Sequence, residues 1–190
     1  MATATKTQKV AKKKWFKIIA PVEFQNAIVG ETLAYEAEQV LGRVVIANLY
    51  TLTKDMRKQS ISLTLKVTDI KGADAHAEVT RYEMNPVHIK RLVRKSRSKI
   101  DDSFVAETND KVKVRIKPLY LTKNITQRGV VTSIRMKSRD ILTQELAKQS
   151  YSEFVSAVIS GNIMKALKGE LKKIYPLSVA EVRMFVKETK

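Results

Sequence analysis

Apolar positions along this chain change their period twice, and the changes lay out its elements. Residues 1–12 show no apolar period, so they predict an arm that is disordered in isolation. Trp15, Phe16, Ile18, Ile19, Val22 and Phe24 then form an apolar segment interrupted by Pro21, expected to anchor the arm. From residue 42 the pattern is that of strands, and 42–52 is rich in Val, Ile, Leu and Tyr. Residues 59–70 alternate: Ile61, Leu63, Leu65 and Val67 face one way, and Ser62, Thr64, Lys66 and Thr68 the other. Residues 69–72 supply a turn, and 73–84 return as the paired strand.

Asn85-Pro86 is a helix start, with Asn as the cap and Pro at the first helical position. The helix expected over 87–97 buries Ile89, Leu92 and Val93. Residues 103–108 and 111–119 predict a second hairpin turned at Asn109-Asp110, and 123–132, around Gly129, reads as a loop. The C-terminal third takes the helical period. One helix runs over 134–147, and Tyr151, Phe154, Val155, Val158 and Ile159 mark a second. Ile163, Ala166, Leu167, Leu171 and Ile174 mark a third, with Lys165, Lys168, Lys172 and Lys173 on its other face. After Pro176, alternation of Val182, Met184 and Val186 predicts a last strand.

Strands, then helices, then a returning strand is an α+β order. We expect an antiparallel, barrel-like β core with a basic helix and a helical C-terminal third. The expected organisation is an arm over 1–12 and a single domain over 13–190. Within it the strand-rich core spans about 42–121, the helical part about 133–175 and the returning strand about 179–188.

With 190 residues, 44% of them hydrophobic, the chain is long enough to bury a core. It has no Cys, which excludes disulfides, thiolate metal sites and cysteine nucleophiles and fits a reducing compartment. The apolar run after Lys14 is too short for a signal peptide, and no stretch approaches the ~20 apolar residues of a membrane span. A cytoplasmic protein with no membrane partner is expected.

Charge changes the picture most. The net charge is +17, yet the excess sits in three acid-free zones, residues 1–20, 88–99 and 111–139, and the rest of the chain is slightly acidic. Segregated charge of this kind repels itself unless a polyanion neutralises it, which points to nucleic acid. In the first zone the candidate contacts are Lys12, Lys13 and Lys14. In the second they are Lys90, Arg91, Arg94, Lys95, Arg97 and Lys99, with Lys90, Arg94 and Arg97 on one helical face. In the third, Lys113, Arg115 and Lys117 alternate with Val112, Val114 and Ile116, and Arg128, Arg135 and Arg139 follow. On a strand, same-face residues recur every ~6.6 Å, about the phosphate spacing of an extended backbone. Trp15 and Phe16 behind three lysines could stack on bases, but packing with Ile18 and Ile19 is the favoured reading.

Catalysis finds little support. No H-x-x-x-H pair, P-loop or dinucleotide-binding glycine pattern occurs. Asp101-Asp102 as adjacent strand residues face opposite ways, poor geometry for one shared Mg²⁺, and His76 and His88 suggest neither catalysis nor a metal. No cofactor is expected.

Lys13-Lys14-Trp15-Phe16 with Ala20-Pro21 and Phe24 resembles the opening of the archaeal and eukaryotic small-subunit ribosomal protein family S3Ae, eS1 in newer naming. Gly42-Arg43-Val44 followed by Leu49, Leu52-Thr53 and Asp55 is similar to its next block. Arg91-Leu92-Val93-Arg94 with Arg97, Ser98, Ile100 and Asp101 resembles its basic helix and exit. Thr108 with Val114-Arg115-Ile116-Lys117 resembles its central strand, and Gln127-Arg128 with Ile134-Arg135 its basic loop and helix start. The resemblance spans roughly 13–190 with the blocks in order. The chain ends at Lys190, without the long C-terminal tail expected of the eukaryotic form, so the archaeal form is implied.

This resemblance implies a structural rRNA-binding component of the small ribosomal subunit, on the platform near the mRNA exit and the 3′ region of the rRNA. Neighbouring ribosomal proteins, and mRNA at the exit, are the implied further partners. The alternative is a free RNA- or DNA-binding chaperone or chromatin protein, and a third reading is a small nuclease or RNA-modifying enzyme.

Overall fold

A computed structural model describes residues 12–188, so the arm expected over 1–12 lies, but for Lys12, outside the described residues. In chain order the elements are β1 (Lys14–Ile19), β2 (Ile28–Ala34), β3 (Val44–Asn48), α1 (Leu49–Thr53), β4 (Ile61–Lys71), β5 (Asp74–Met84) and α2 (Pro86–Leu92). Then come β6 (Lys99–Asp101), β7 (Phe104–Glu107), β8 (Lys113–Thr122), α3 (Arg128–Lys148), α4 (Tyr151–Ser160), α5 (Asn162–Lys172) and β9 (Leu177–Lys187). Short 3-10 turns fall at Val22–Phe24, Ala37–Val40 and Met56–Lys58. The class is α+β, and among the described residues the nine strands belong to one open sheet, six of them in the order β2-β1-β5-β9-β8-β6, with β3 on β4, β4 on β5 and β7 on β8 off that path.

Two compact units share the chain. One holds the chain up to Val45 together with Lys66–Glu78, and the other holds Ile46–Leu65 and everything from Val79 onward. In the first unit β1 pairs antiparallel with β2 and parallel with the start of β5, where Lys17, Ile18 and Ile19 meet Asp74, Ala75 and His76. Alternation along β1 buries Phe16 and Ile18 with Phe24, Val40 and Ala75. Gly72, at φ +66°, makes the turn between β4 and β5, a backbone conformation that any Cβ would strain. Sequence reading had no strand at 28–34. There Ile28 and Glu31 are exposed and the alternation never shows a clean apolar face.

The second unit centres on β8. It pairs with β9 along its whole length, and on its other edge with β7 over its first half and β6 over its second. The expected hairpin around Asn109-Asp110 is thus present, with Phe104 opposite Ile116. Val114, Ile116, Phe104 and Phe185 point to one side, and α4 covers it: Phe154 meets Phe185 edge-on, centroids 5.4 Å apart. Tyr82 stacks on the same ring at 5.3 Å. Ser150 and Glu153 form a capping box at the start of α4, and Gly161, at φ +76°, ends it.

Several boundaries differ from expectation for local reasons. The strand read over 42–52 stops at Asn48, whose side chain accepts the Tyr50 N–H at 2.9 Å and starts α1. Asn85 caps α2 as expected, accepting from the Val87 N–H at 2.9 Å, but the helix ends at Leu92 because Val93 is extended. Ile89, Leu92 and Val93 are half-buried rather than buried. The loop read over 123–132 ends at Gln127, and α3 begins at Arg128, six residues before the helix start expected at Ile134. In β9 the alternation of Val182, Met184 and Val186 fails. The strand carries a bulge, so after Leu177 the buried residues are Val182 and Phe185.

Candidate nucleic-acid interface

Helix α2 presents Lys90 and Arg91 in its last turn, held at that place by the Asn85 cap and Pro86. Because the helix stops at Leu92, Arg94, Lys95 and Arg97 do not extend its face. They stand on the irregular segment between α2 and β6, where Arg94 and Lys95 are exposed and Arg97 half-buried. The one-face helical stripe is thereby replaced by a cationic corner, a helix end followed by a loop. Among the described residues none of these five side chains has an ion-pair or hydrogen-bond partner. Lys99, next on β6, is different: its Nζ lies 2.6 Å from Asp101, and that contact holds the Asp101 carboxyl below its usual range.

On β8 the alternation is as expected. Val114 and Ile116 are buried, and Lys113 and Arg115 are exposed on the opposite face, with Lys117 half-buried. Freedom from acids is not as expected. Glu107 sits across the ladder from Lys113, 3.4 Å away, and the Arg115 Nε donates to Glu188 at 2.7 Å. Valines flank Arg115 on both neighbouring strands, Val105 and Val186. The stripe is a mixed face whose first two cations are partly neutralised, and of the three Lys117 alone has no ion-pair partner among the described residues.

Helix α3 separates Arg128, Arg135 and Arg139. Arg128 is exposed in the first turn. One turn after Arg135, Arg139 clamps Asp102, its Nη2 lying 2.9 Å from both carboxylate oxygens and its Nε 3.1 Å from one. That clamp raises the Arg139 pKa, and its bidentate geometry ties α3 to the segment between β6 and β7. Arg135 has no such acid, and its Nε is buried without an acceptor.

In the first unit Lys12, Lys13 and Lys14 are exposed, and the Lys13 Nζ lies 5.3 Å from the centre of the Tyr35 ring. The packing expected for Trp15 does not occur. Phe16 is 4% exposed, but Trp15, on the other side of β1, is 64% exposed opposite Leu33. Strand alternation decides this: two adjacent aromatics on a strand cannot both face the core. Sequence reading passed over Arg183 on β9, which the bulge exposes; a register shift between two strands leaves no trace in either strand alone. Among the described residues no three His, Asp or Glu gather to hold a metal, and no helix is long and apolar enough to cross a membrane.

Comparison with known proteins agrees on one family. The model of the ribosomal S3Ae family matches residues 2–188. The small ribosomal subunit protein eS1 of Halorubrum lacusprofundi is 33% identical, over 94% of this chain and 83% of its own. That of Nanoarchaeum equitans is 34% identical over 93% and 89%, and that of Sulfurisphaera tokodaii 34% identical over 90% and 88%.

Proposed function

The chain belongs to the ribosomal S3Ae family, in its archaeal form, and from that premise we propose that it holds its place by binding rRNA backbone through its unpaired cationic surfaces. It is a structural protein of the small ribosomal subunit in the cytoplasm, not an enzyme. The observation that carries the rRNA reading is the corner formed by Lys90, Arg91, Arg94, Lys95 and Arg97. Among the described residues these five cations within eight positions have no acid partner, although acids lie against Lys99, Lys113, Arg115 and Arg139. Such a corner repels itself and is relieved by phosphates. Lys12–Lys14, Lys117, Arg128 and Arg135 add to it. Contacts of this kind position a protein on RNA without reading sequence, so selectivity comes from RNA shape.

The finer placement belongs to the same proposal. The basic surfaces meet the 3′ region of the small-subunit rRNA on the platform, beside neighbouring ribosomal proteins and close to the mRNA exit. The test has two arms. Native protein should cosediment with small subunits in a sucrose gradient; recovery only in the free fraction would favour an RNA- or DNA-binding chaperone or chromatin protein instead. Ultraviolet crosslinks from residues 90–97 should then map to the 3′ region of the rRNA. Crosslinks confined to another region would overturn the placement.

A further inference from the structure

In the second unit a surface notch of about 500 Å³ is lined by Asp101, Asp102, Ser103, Lys117, Arg135 and Arg183. A fault in the sheet makes it. β8 and β9 pair Lys117 with Met184 and then Pro118 with Val182, which leaves Arg183 as an extra residue. Pro118 has no N–H to give the ladder, the place where a bulge disrupts least. The bulge turns the exposed Arg183 side chain to the notch that Lys117 and Arg135 also line.

Both acids in the lining are engaged by cations from outside it. Asp102 is clamped by Arg139 and also accepts the Ser103 N–H at 2.9 Å. Asp101 accepts from Lys99, 2.6 Å away, and the Arg183 charge only adds to the lowering of its pKa. Lys117, Arg135 and Arg183 are left without a hydrogen-bonded partner among the described residues. The Arg135 Nε is removed from water with no acceptor, a rare condition for a charged donor. Three cations therefore converge on a space whose own acids are spoken for.

We propose that this notch seats one backbone phosphate of RNA, with Arg135 donating from below, Lys117 supplying a point charge and Arg183 closing over the anion from the bulge. This deepens the rRNA reading and rests on it. RNA is favoured over another source of negative charge because the Lys113–Arg115–Lys117 stripe runs along β8 to the rim of the notch. At ~6.6 Å between same-face residues, a sugar-phosphate strand following the stripe arrives at it.

The test uses the full chain labelled with ¹⁵N in arginine. Side-chain Nε–H signals are followed while inorganic phosphate is added at constant ionic strength, with chloride as control. Arg135 and Arg183 are expected to shift along one saturating curve while the exposed Arg128 does not. In parallel, Arg183→Gln and Lys117→Gln are titrated with deproteinised small-subunit rRNA over a range of salt. Each should lower the log–log salt slope by about one and weaken binding roughly fivefold at 0.15 M salt. Arg183 is exposed, so an unchanged melting temperature for its variant separates a lost contact from a lost fold.

Arg135 moving no more than Arg128 overturns the proposal. So does a phosphate response with unchanged RNA slopes, which would assign the notch to an acidic side chain of another protein. The triple change Lys90→Gln, Arg91→Gln, Arg94→Gln lies outside the notch. If it weakens rRNA binding and Arg183→Gln does not, the notch alone falls; if neither does, the rRNA reading falls with it.

Discussion

Lys113 and Val114 are neighbours on β8 with opposite surroundings: Val114 has no exposed surface, and Lys113 stands in water. Val114→Ala is expected to lower stability by roughly 2 kcal/mol, because it removes buried methyl groups and leaves a cavity. Lys113→Gln should stay within ~0.5 kcal/mol, since exposed ion pairs contribute little; denaturant melts of the two variants check both. Trp15, the one tryptophan of the chain, is 64% exposed. Its fluorescence should therefore peak at the wavelength of a solvated indole, and Trp15→Ala should melt within ~0.5 kcal/mol of the native protein. A blue-shifted emission in the free protein would contradict this. Glu181 is half-buried on β9, and burial pushes its carboxyl above the ordinary 4.5, with His88 and Lys168 pulling part of the way back. A carboxyl raised in the folded state favours folding while protonated. That contribution is complete below the unfolded value and is lost as pH rises through the folded one. Glu181→Gln should consequently be more stable than the native protein at pH 7, with the advantage shrinking as pH falls through the raised folded value and lost below about pH 4.5. An equal gap in melting temperature at pH 7 and pH 4 would count against it.

Single elements show how far alternation and capping carry. β4 and β5 came from alternation, α2 from Asn85-Pro86, and α4 and α5 from the 3.6-residue period broken at Gly161. Those signals are local, so they survive in the sequence. Where an element ends was less legible. Nothing in Leu92-Val93-Arg94 marks the stop of α2, and Arg128 starts α3 with no side-chain cap at Gln127. The exposed face of β8 is the element whose role charge alone should decide. Changing Lys113, Arg115 and Lys117 together to Gln leaves Val114 and Ile116 in the core, and removes two exposed pairs with Glu107 and Glu188. Such pairs contribute up to ~1 kcal/mol each, so the fold should persist with a loss under about 2 kcal/mol. Incorporation into small subunits should drop, measured by competition with the native protein. Normal assembly of a folded triple variant at physiological salt would mean that this face is merely solvated.

For the whole molecule the governing quantity is a net charge of +17 held mostly in three zones. If about six phosphates are neutralised, log–log plots of rRNA affinity against salt should fall with a slope of several units. A slope near −1 would rule out counterion release as the main source of affinity. The zones, the α+β order and the family resemblance were all legible in the chain, because charge and period are properties of consecutive residues. Which cations are free was not. Acid-free stretches of sequence are not acid-free in space: Glu107, Glu188 and Asp102 reach Lys113, Arg115 and Arg139 from segments apart in the chain, while Asp101 meets Lys99 from two residues along the same strand. Trp15 faces water because a strand alternates, although its sequence neighbours suggested an anchor. Sequence by itself determined the class of partner, through the amount and clustering of charge, and the elements, through their periods. Only the tertiary structure decided which cations are left without an acid partner among the described residues. Pairing across strands, and a one-residue bulge that re-aims Arg183, depend on register between segments far apart in the chain.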